Sequence, residues 1–277
     1  VRQVGLNLQA KVAGFGIELI HSNFKSATPG ILGIRGLRSI LPKLSLGVSF
    51  VTDLDQLAGL PDSDGDKYPD YYDYYPDDEN KWDDSIKART EWDGFNSFLN
   101  AQEGYETVPD SKFMDWFEDS KYANDYDPSS ADSDPISGLA IDATYTLSEK
   151  MTLYLQFGLL QGEIVDPEDN TKTINPGWGL VPIGARTKLG PINLLAEYRI
   201  GARRFVFNYW DRAYDVNRVS VIKSGTESEI ATRESQLYLY GKLNGFYVQT
   251  DMSVMNLFIL ETGYQNMQGE KWDKDLN

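Results

Sequence analysis

Apolar and polar residues alternate with period two over long stretches of this chain. Leu139, Ile141, Ala143, Tyr145 and Leu147 alternate with Ala140, Asp142, Thr144 and Thr146. After Ser148, Glu149 and Lys150 the apolar series resumes at Met151, Leu153, Leu155, Phe157 and Leu159. Successive side chains of a strand point to opposite faces, so this pattern predicts an antiparallel hairpin with one apolar and one polar face. A second hairpin is predicted over 181–200 about Gly190 and Pro191, with Arg186, Lys188, Asn193, Glu197 and Arg199 on its polar side. The same alternation marks 4–12, 44–50 and 237–243. In the last of these the phase slips at Asn244 and Gly245, and a β-bulge is expected there. The pattern gives ten or eleven strands, depending on whether Ala13 and Gly14 form a turn or lie inside one long strand.

Connection lengths add a second regularity. Short links near 38–42, 148–150, 190–191 and around Met255 and Asn256 alternate with long ones at 53–135, about 164–177 and about 207–233. Most strands reach the roughly 9 to 11 residues that a bilayer requires, beyond the five or six usual in globular sheets. Phe50, Trp178, Phe205, Phe207, Tyr209, Trp210, Tyr238 and Tyr264 gather toward the long-loop ends, as an interfacial girdle would. On the hairpins at 143–157 and 184–200 and the stretch 255–268, the chain resembles a bacterial outer-membrane β-barrel, porin-like and of no specified subfamily.

That resemblance implies an all-β, antiparallel transmembrane β-barrel, or a fragment of a larger one, in contact with outer-membrane lipid and serving as a pore or for surface display rather than as an enzyme. The long acidic, partly helical insertion would then be extracellular, open to a surface ligand or partner protein. Lys11, Glu18, Asp142, Arg186, Lys188, Glu197 and Arg199 would face the lumen. Arg or Lys on the lipid face costs about 2–4 kcal/mol at mid-bilayer. The alternative is a secreted, soluble, calcium-stabilised β-sandwich for adhesion or glycan binding, which also alternates and also uses tight turns. The chain opens at Val1 without a charged and apolar leader and closes on a charged tail, the expectation for a mature form or a piece of something longer.

Charge changes the picture because it is local. The chain of 277 residues has a formal net charge of −16. Residues 53–135 hold 24 acidic and 6 basic residues, a net of −18, and the remaining 18 acids and 20 bases leave +2 for the rest. The expected organisation is therefore barrel strands over 1–52, an acidic insertion over 53–135, and barrel strands over 136–277. Such an insertion repels nucleic acid. The absence of cysteine excludes disulfides, zinc–thiolate centres and a cysteine nucleophile, and the single His21 excludes a two-histidine metal site. No apolar run of about 18 residues exists, so no transmembrane helix is expected.

Within the insertion, Asp62, Asp64, Asp66, Asp70 and Asp73 occupy positions 1, 3, 5, 9 and 12 of a twelve-residue loop, with Tyr68 at position 7 to offer its carbonyl. Calcium takes six to eight oxygen ligands, which one short loop can supply only with acids at such spacings. The spacing resembles the thrombospondin type 3 calcium repeat and, more distantly, an EF-hand loop. That resemblance assigns these residues as calcium ligands with a structural role. Lys67 stands where a glycine is expected, and the final acid is Asp73 rather than the longer Glu. Elsewhere in the insertion, a helix is predicted from about Trp82 to Leu99. Trp82, Trp92, Trp116, Phe95, Phe98, Phe113 and Phe117 are expected to form its small core. Acid pairs drawn from Glu91, Asp93, Asp115, Glu118 and Asp119 arise by abundance and mark no hydrolase site.

Overall fold

The computed structural model describes residues 5–22, 30–65, 67–102, 106–118, 120, 133–211, 213–224, 227–254 and 258–270. The chain divides into two compact units, residues 1–59 with 133–277, and residues 60–132. The second unit is narrower than the 53–135 expected from charge. Gln56 N–H donates to the Asp134 carbonyl at 2.9 Å, which ties both ends of the acidic segment to the sheet unit.

In the first unit the alternating segments become β1 (Leu6–Val12), β2 (Phe15–His21), β3 (Leu32–Leu41), β4 (Leu44–Asp53), β5 (Ile136–Ser148), β6 (Met151–Gln161), β7 (Ile164–Asp166), β8 (Asp169–Ile174), β9 (Trp178–Leu189), β10 (Ile192–Gly201), β11 (Val219–Ser224), β12 (Glu227–Thr232), β13 (Leu243–Val254) and β14 (Phe258–Gly269). Ten of them form one antiparallel sheet in the order β1-β2-β3-β4-β5-β6-β9-β10-β13-β14. The chain is thus all-β. Among the described residues β1 pairs only with β2 and β14 only with β13, so the sheet is open between them.

Ala13 and Gly14 form a turn, both with positive φ (50° and 83°). Such two-residue turns match the right-handed twist of the strands they join. The turn expected at Met255 and Asn256 lies outside the described residues; on either side of it Val254 is paired with Phe258. The long connections near 164–177 and 207–233 carry the small hairpins β7–β8 and β11–β12.

The bulge expected at Asn244 and Gly245 is absent, and the strand expected from Leu237 is a 3₁₀ helix over Ser235–Leu239. Its Leu237 is buried with Ile136, Leu160, Ile164, Tyr209 and Tyr214. The phase slip therefore records a helical turn followed by a new strand, because Leu237 is drawn into this local core rather than into the ladder.

The two faces of the sheet differ as the alternation predicts. Leu8, Val48, Ile141, Leu155, Ile183 and Phe246 share one face and stand 47–63% exposed. The opposite face carries most of the strands' glycines, serines and charged residues, while Arg38, over the Phe15 ring, and Thr187, Thr250 and Thr262 lie on the apolar side. The sandwich alternative needs a second sheet packed on the apolar face; among the described residues there is one ten-stranded sheet and two separate two-stranded hairpins.

The second unit holds α1 (Ser85–Asn100) and α2 (Phe113–Glu118). Asp84, just before α1, is buried and accepts from the Tyr75 hydroxyl at 2.8 Å while pairing with Lys87 at 2.7 Å. Trp92 meets Phe113 and Trp116 with ring centroids 5.7 and 5.4 Å apart, and Phe113 meets Phe117 at 5.9 Å. This is the expected small core without Phe95 and Phe98, which are exposed, and with Trp82 stacked instead on Tyr68.

Candidate functional site

The candidate site is the polar face of the sheet. Strand register carries the seven charged residues singled out from sequence to this one face. Lys11 lies opposite Gly16, Gly16 opposite Leu37, Leu37 opposite Gly47, and Gly47 opposite Asp142. Glu18 lies opposite Arg35, Arg186 opposite Leu195, Lys188 opposite Asn193, and Glu197 opposite both Gly184 and Tyr247. Arg199 is two residues from Glu197 on the same strand and so shares its face.

The seven do not form one cluster. Asp142 pairs with Arg35, which sequence reasoning missed, through Nη2 at 2.8 Å from Oδ1 and 3.0 Å from Oδ2. The pair spans β4 above Gly47, where a Cβ would stand 2.5 Å from Asp142 and 2.7 Å from Arg35. Glycine at 47 is therefore what allows the two charges to meet. Glu197 and Arg199 form a second, buried centre: Arg199 Nε donates to Glu197 Oε2 at 2.6 Å and Nη1 to Gln265 Oε1 at 3.0 Å. The Tyr154 hydroxyl donates to Glu197 Oε1, and the Arg199 guanidinium lies 3.7 Å from the Tyr247 ring centroid. Glu18 accepts from Asn7 and Gln9 at 2.9 and 3.2 Å. Lys11, Arg186 and Lys188 are exposed.

Residues 205–210 cross this polar face. Phe205 lies over Gly179 and Gly158: a Cβ at 179 would sit 2.1 Å from its ring, and one at 158 would sit 3.8 Å away. Trp210 Nε1 lies against Gly138 in the same way, at 2.7 Å. Between this strap and the sheet is a cavity of ≈ 240 Å³. The structure thus corrects the girdle expected of Phe205, Phe207, Tyr209 and Trp210. Their aromatic side chains face inward because glycines at 138, 158 and 179 leave room for them, whereas Trp178 and Tyr264 remain exposed. The glycines on alternate positions were the available signal.

Beside the strap, a buried polar network joins the long connections. Arg218 Nη1 donates to both carboxylate oxygens of the fully buried Asp53 at 3.2 Å. Gln56 Nε2 donates to Glu234 Oε2 at 3.2 Å and Asp134 Oδ2 at 3.3 Å, and Gln56 Oε1 accepts from the Tyr209 hydroxyl and the Glu234 N–H at 3.2 Å each. Burial, reinforced by the neighbouring Asp134, pushes the Glu234 carboxyl up to about 8. Burial likewise raises Asp134 and holds the Tyr209 hydroxyl well above its ordinary range.

In the second unit the calcium candidates are turned partly to the loop's own backbone. Asp62 accepts from the N–H groups of Gly65 and Lys67 at 2.7 and 3.2 Å. Asp70 accepts from Ser63 N–H and Oγ at 2.7 and 2.8 Å, and Asp73 from Tyr75 N–H at 2.7 Å. The Tyr68 ring stacks on Trp82. Asp66 lies outside the described residues, and among those described no three carboxylates gather as a metal site requires. Lys67 has φ +84°. The position where a glycine was expected is left-handed, and a lysine occupies it under strain.

No protein-family model matches this chain, and no curated protein matches it in sequence. Among solved structures it is similar to the Pseudomonas putida toluene transporter TodX, at 12% identity and a TM-score of 0.34 over 95% of this chain and 67% of that one. It is also similar to a TodX deltaS2S3 mutant described as a monoaromatic hydrocarbon channel, at 11% identity and a TM-score of 0.37 over 95% and 66%. The chain thus spans about two thirds of the length of these structures.

Proposed function

We propose that this chain is the wall, or part of the wall, of a β-barrel in a bacterial outer membrane, serving as a pore for transport or for surface display. One observation carries the reading: the apolar face of a ten-stranded sheet is exposed while most of its charges, glycines and hydroxyls occupy the other face. Water penalises such a surface in proportion to its area, and soluble proteins seldom expose a contiguous apolar patch beyond a few hundred Å². Hydrocarbon does not penalise it. The acidic unit would then stand outside the cell, available to a surface ligand or partner protein.

The test is mobility on unheated gels together with insertion into lipid vesicles. The purified chain is expected to need detergent, to run anomalously until boiled, and to enter vesicles. A chain that stays monomeric and folded in plain buffer overturns the reading.

The proposal keeps calcium as a structural ion of residues 62–73. Its support is the acid spacing and a loop already closed on itself, with Asp70 N–H donating to the Pro61 carbonyl at 2.8 Å. Adding calcium is expected to slow proteolysis within 60–132; unchanged cleavage removes calcium from the account.

A further inference from the structure

We propose that Glu234, Asp134 and Gln56 form a proton-operated latch, which holds residues 205–210 on the polar face while Glu234 carries a proton and frees them when that proton leaves to water. The latch stands on its own geometry. Its use as a gate rests on the transport reading above, in which the polar face is the lumen.

The charges around Glu234 do not balance. Its side chain is fully buried. The titratable and charged groups of the network around it come from four segments. Asp53 and Asp55 lie at the end of β4 and just beyond it, and Asp134 ends the acidic segment, its N–H donating to Asp55 Oδ1 at 3.3 Å. Tyr209, Tyr214, Arg218 and Arg233 belong to the connection after β10, and Glu163 lies on the β6–β7 link and contributes its backbone N–H. Arg218 is engaged by Asp53 at 3.2 Å and Arg233 by Asp211 at 2.9 Å. Among the described residues Asp134 and Glu234 make no ion pair, and they share one amide donor, Gln56 Nε2, at 3.3 and 3.2 Å. Two carboxyls on one site resist ionising together, and a buried charge without a cation is costly. Glu234 Oε1 is buried and makes no hydrogen bond among the described residues. The place therefore favours a proton on Glu234, in agreement with its raised pKa.

Gln56 passes this state on. Its Oε1 accepts from the Tyr209 hydroxyl and the Glu234 N–H at 3.2 Å each, so the amide that holds the two carboxyls also holds the far end of residues 205–210. The near end is rooted at Arg204, whose N–H donates to the Tyr240 carbonyl and whose carbonyl accepts from the Gly177 N–H, both at 2.8 Å. Arg204 and Asn208 both have φ +60°, a left-handed conformation that an arginine adopts under strain. The strap is thus held by its ties and not by its own backbone preference. When Glu234 ionises beside Asp134, the two carboxylates repel across Gln56 and the tie to Tyr209 loosens.

The test places 4-fluorophenylalanine at position 207, where the native ring lies 5.2 Å from Phe205 and under the Arg199 guanidinium. Its fluorine resonance is followed in the full chain in detergent from pH 5 to 9. A second, released signal is expected to grow with a midpoint near pH 8, its ratio to the first rising by at least about ten-fold between pH 6 and 8. Glu234→Gln should hold the first signal throughout. Asp134→Asn removes the repelling neighbour and should move the midpoint to lower pH, and Tyr209→Phe cuts the tie and should make the signal independent of pH.

A native resonance that ignores pH overturns the proposal. So does a transition that survives Glu234→Gln or Tyr209→Phe, and if Glu234→Gln fails to fold, an unshifted midpoint in Asp134→Asn does the same. Conductance in planar bilayers separates the two readings: a chain that conducts while its resonance stays fixed sinks the latch and leaves the barrel. A resonance that follows pH in a chain that never enters bilayers sinks the barrel and leaves the latch.

Discussion

The two compact units solve the placing of charge in opposite ways. In the sheet unit, Arg35 pairs with Asp142, Arg203 with Glu270 and Arg218 with Asp53, all far away in sequence, while Arg199 pairs with Glu197 two positions off and reaches the distant Gln265 as well. In the acidic unit, Lys81 pairs with Asp78, Lys87 with Asp84, Arg89 with Asp93 and Lys112 with Asp115, all three or four residues apart. The difference follows from what each unit can bury. A strand exposes its backbone neighbours to two other strands, so a charge on its polar face meets side chains brought there by register. A short helix or turn meets mainly its own next turn, Arg89 reaching Asp110 at 2.9 Å being the exception, and such exposed pairs contribute little. The sheet therefore depends on particular charge partners, while the acidic unit, with 21 acids and 6 bases over 60–132 for a net of −15, depends on solvent and on counter-ions.

This contrast can be broken most sharply at Arg218. Arg218→Met leaves Asp53 buried without its cation and is expected to cost about 3–5 kcal/mol. Lys112→Met, the matched change in the acidic unit, should leave the thermal midpoint where it was. Comparable losses from both would show that the acidic unit relies on its local pairs after all.

A smaller effect concerns the apolar face. Val48→Arg, at the middle of β4 and 50% exposed, should lower vesicle insertion, with a cost of about 2–4 kcal/mol. Phe98→Arg on α1, 60% exposed, should not change it. Undiminished insertion of Val48→Arg would mean that this face does not meet lipid.

The comparison is sharpened further through pH. The Glu234 carboxyl, raised from 4.5 to about 8, binds its proton more tightly in the folded chain than in the unfolded one. The sheet unit is thus most stable, as far as this group decides, below about pH 4.5, and loses stability as pH rises toward 8. The slope is at most about 1.4 kcal/mol per pH unit. Unfolding midpoints measured from pH 5 to 8 should fall, and Glu234→Gln should flatten the profile; a profile unchanged by that substitution assigns the slope to other groups.

Much of the scaffold was legible in the chain because the signal is periodic and local. Alternation at 139–159 and 181–200 located two hairpins and both of their faces, and Ala13–Gly14 needed only its φ values to settle as a turn. The candidate site was legible in part. Glu197 and Arg199 share a face by spacing alone, and their contact followed. Arg35 was passed over, because its neighbours along β3 are mostly apolar and its partner lies 107 positions away. Leu237 and Leu239 imitated a strand because two-residue spacing of apolar side chains also occurs where one of them enters a local core.

The sequence by itself determined most of the long strands, which side of each is apolar, and where the acidic charge resides. These follow from periods of two residues and from counting. Tertiary structure alone decided that residues 205–210 fold onto the polar face instead of ringing the apolar one, that Asp53, Gln56, Asp134, Arg218 and Glu234 share one buried network, and that a cavity remains beneath the aromatic strap. Those outcomes depend on which glycines on neighbouring strands leave room and which distant charges meet, and neither is encoded in any short window of the chain.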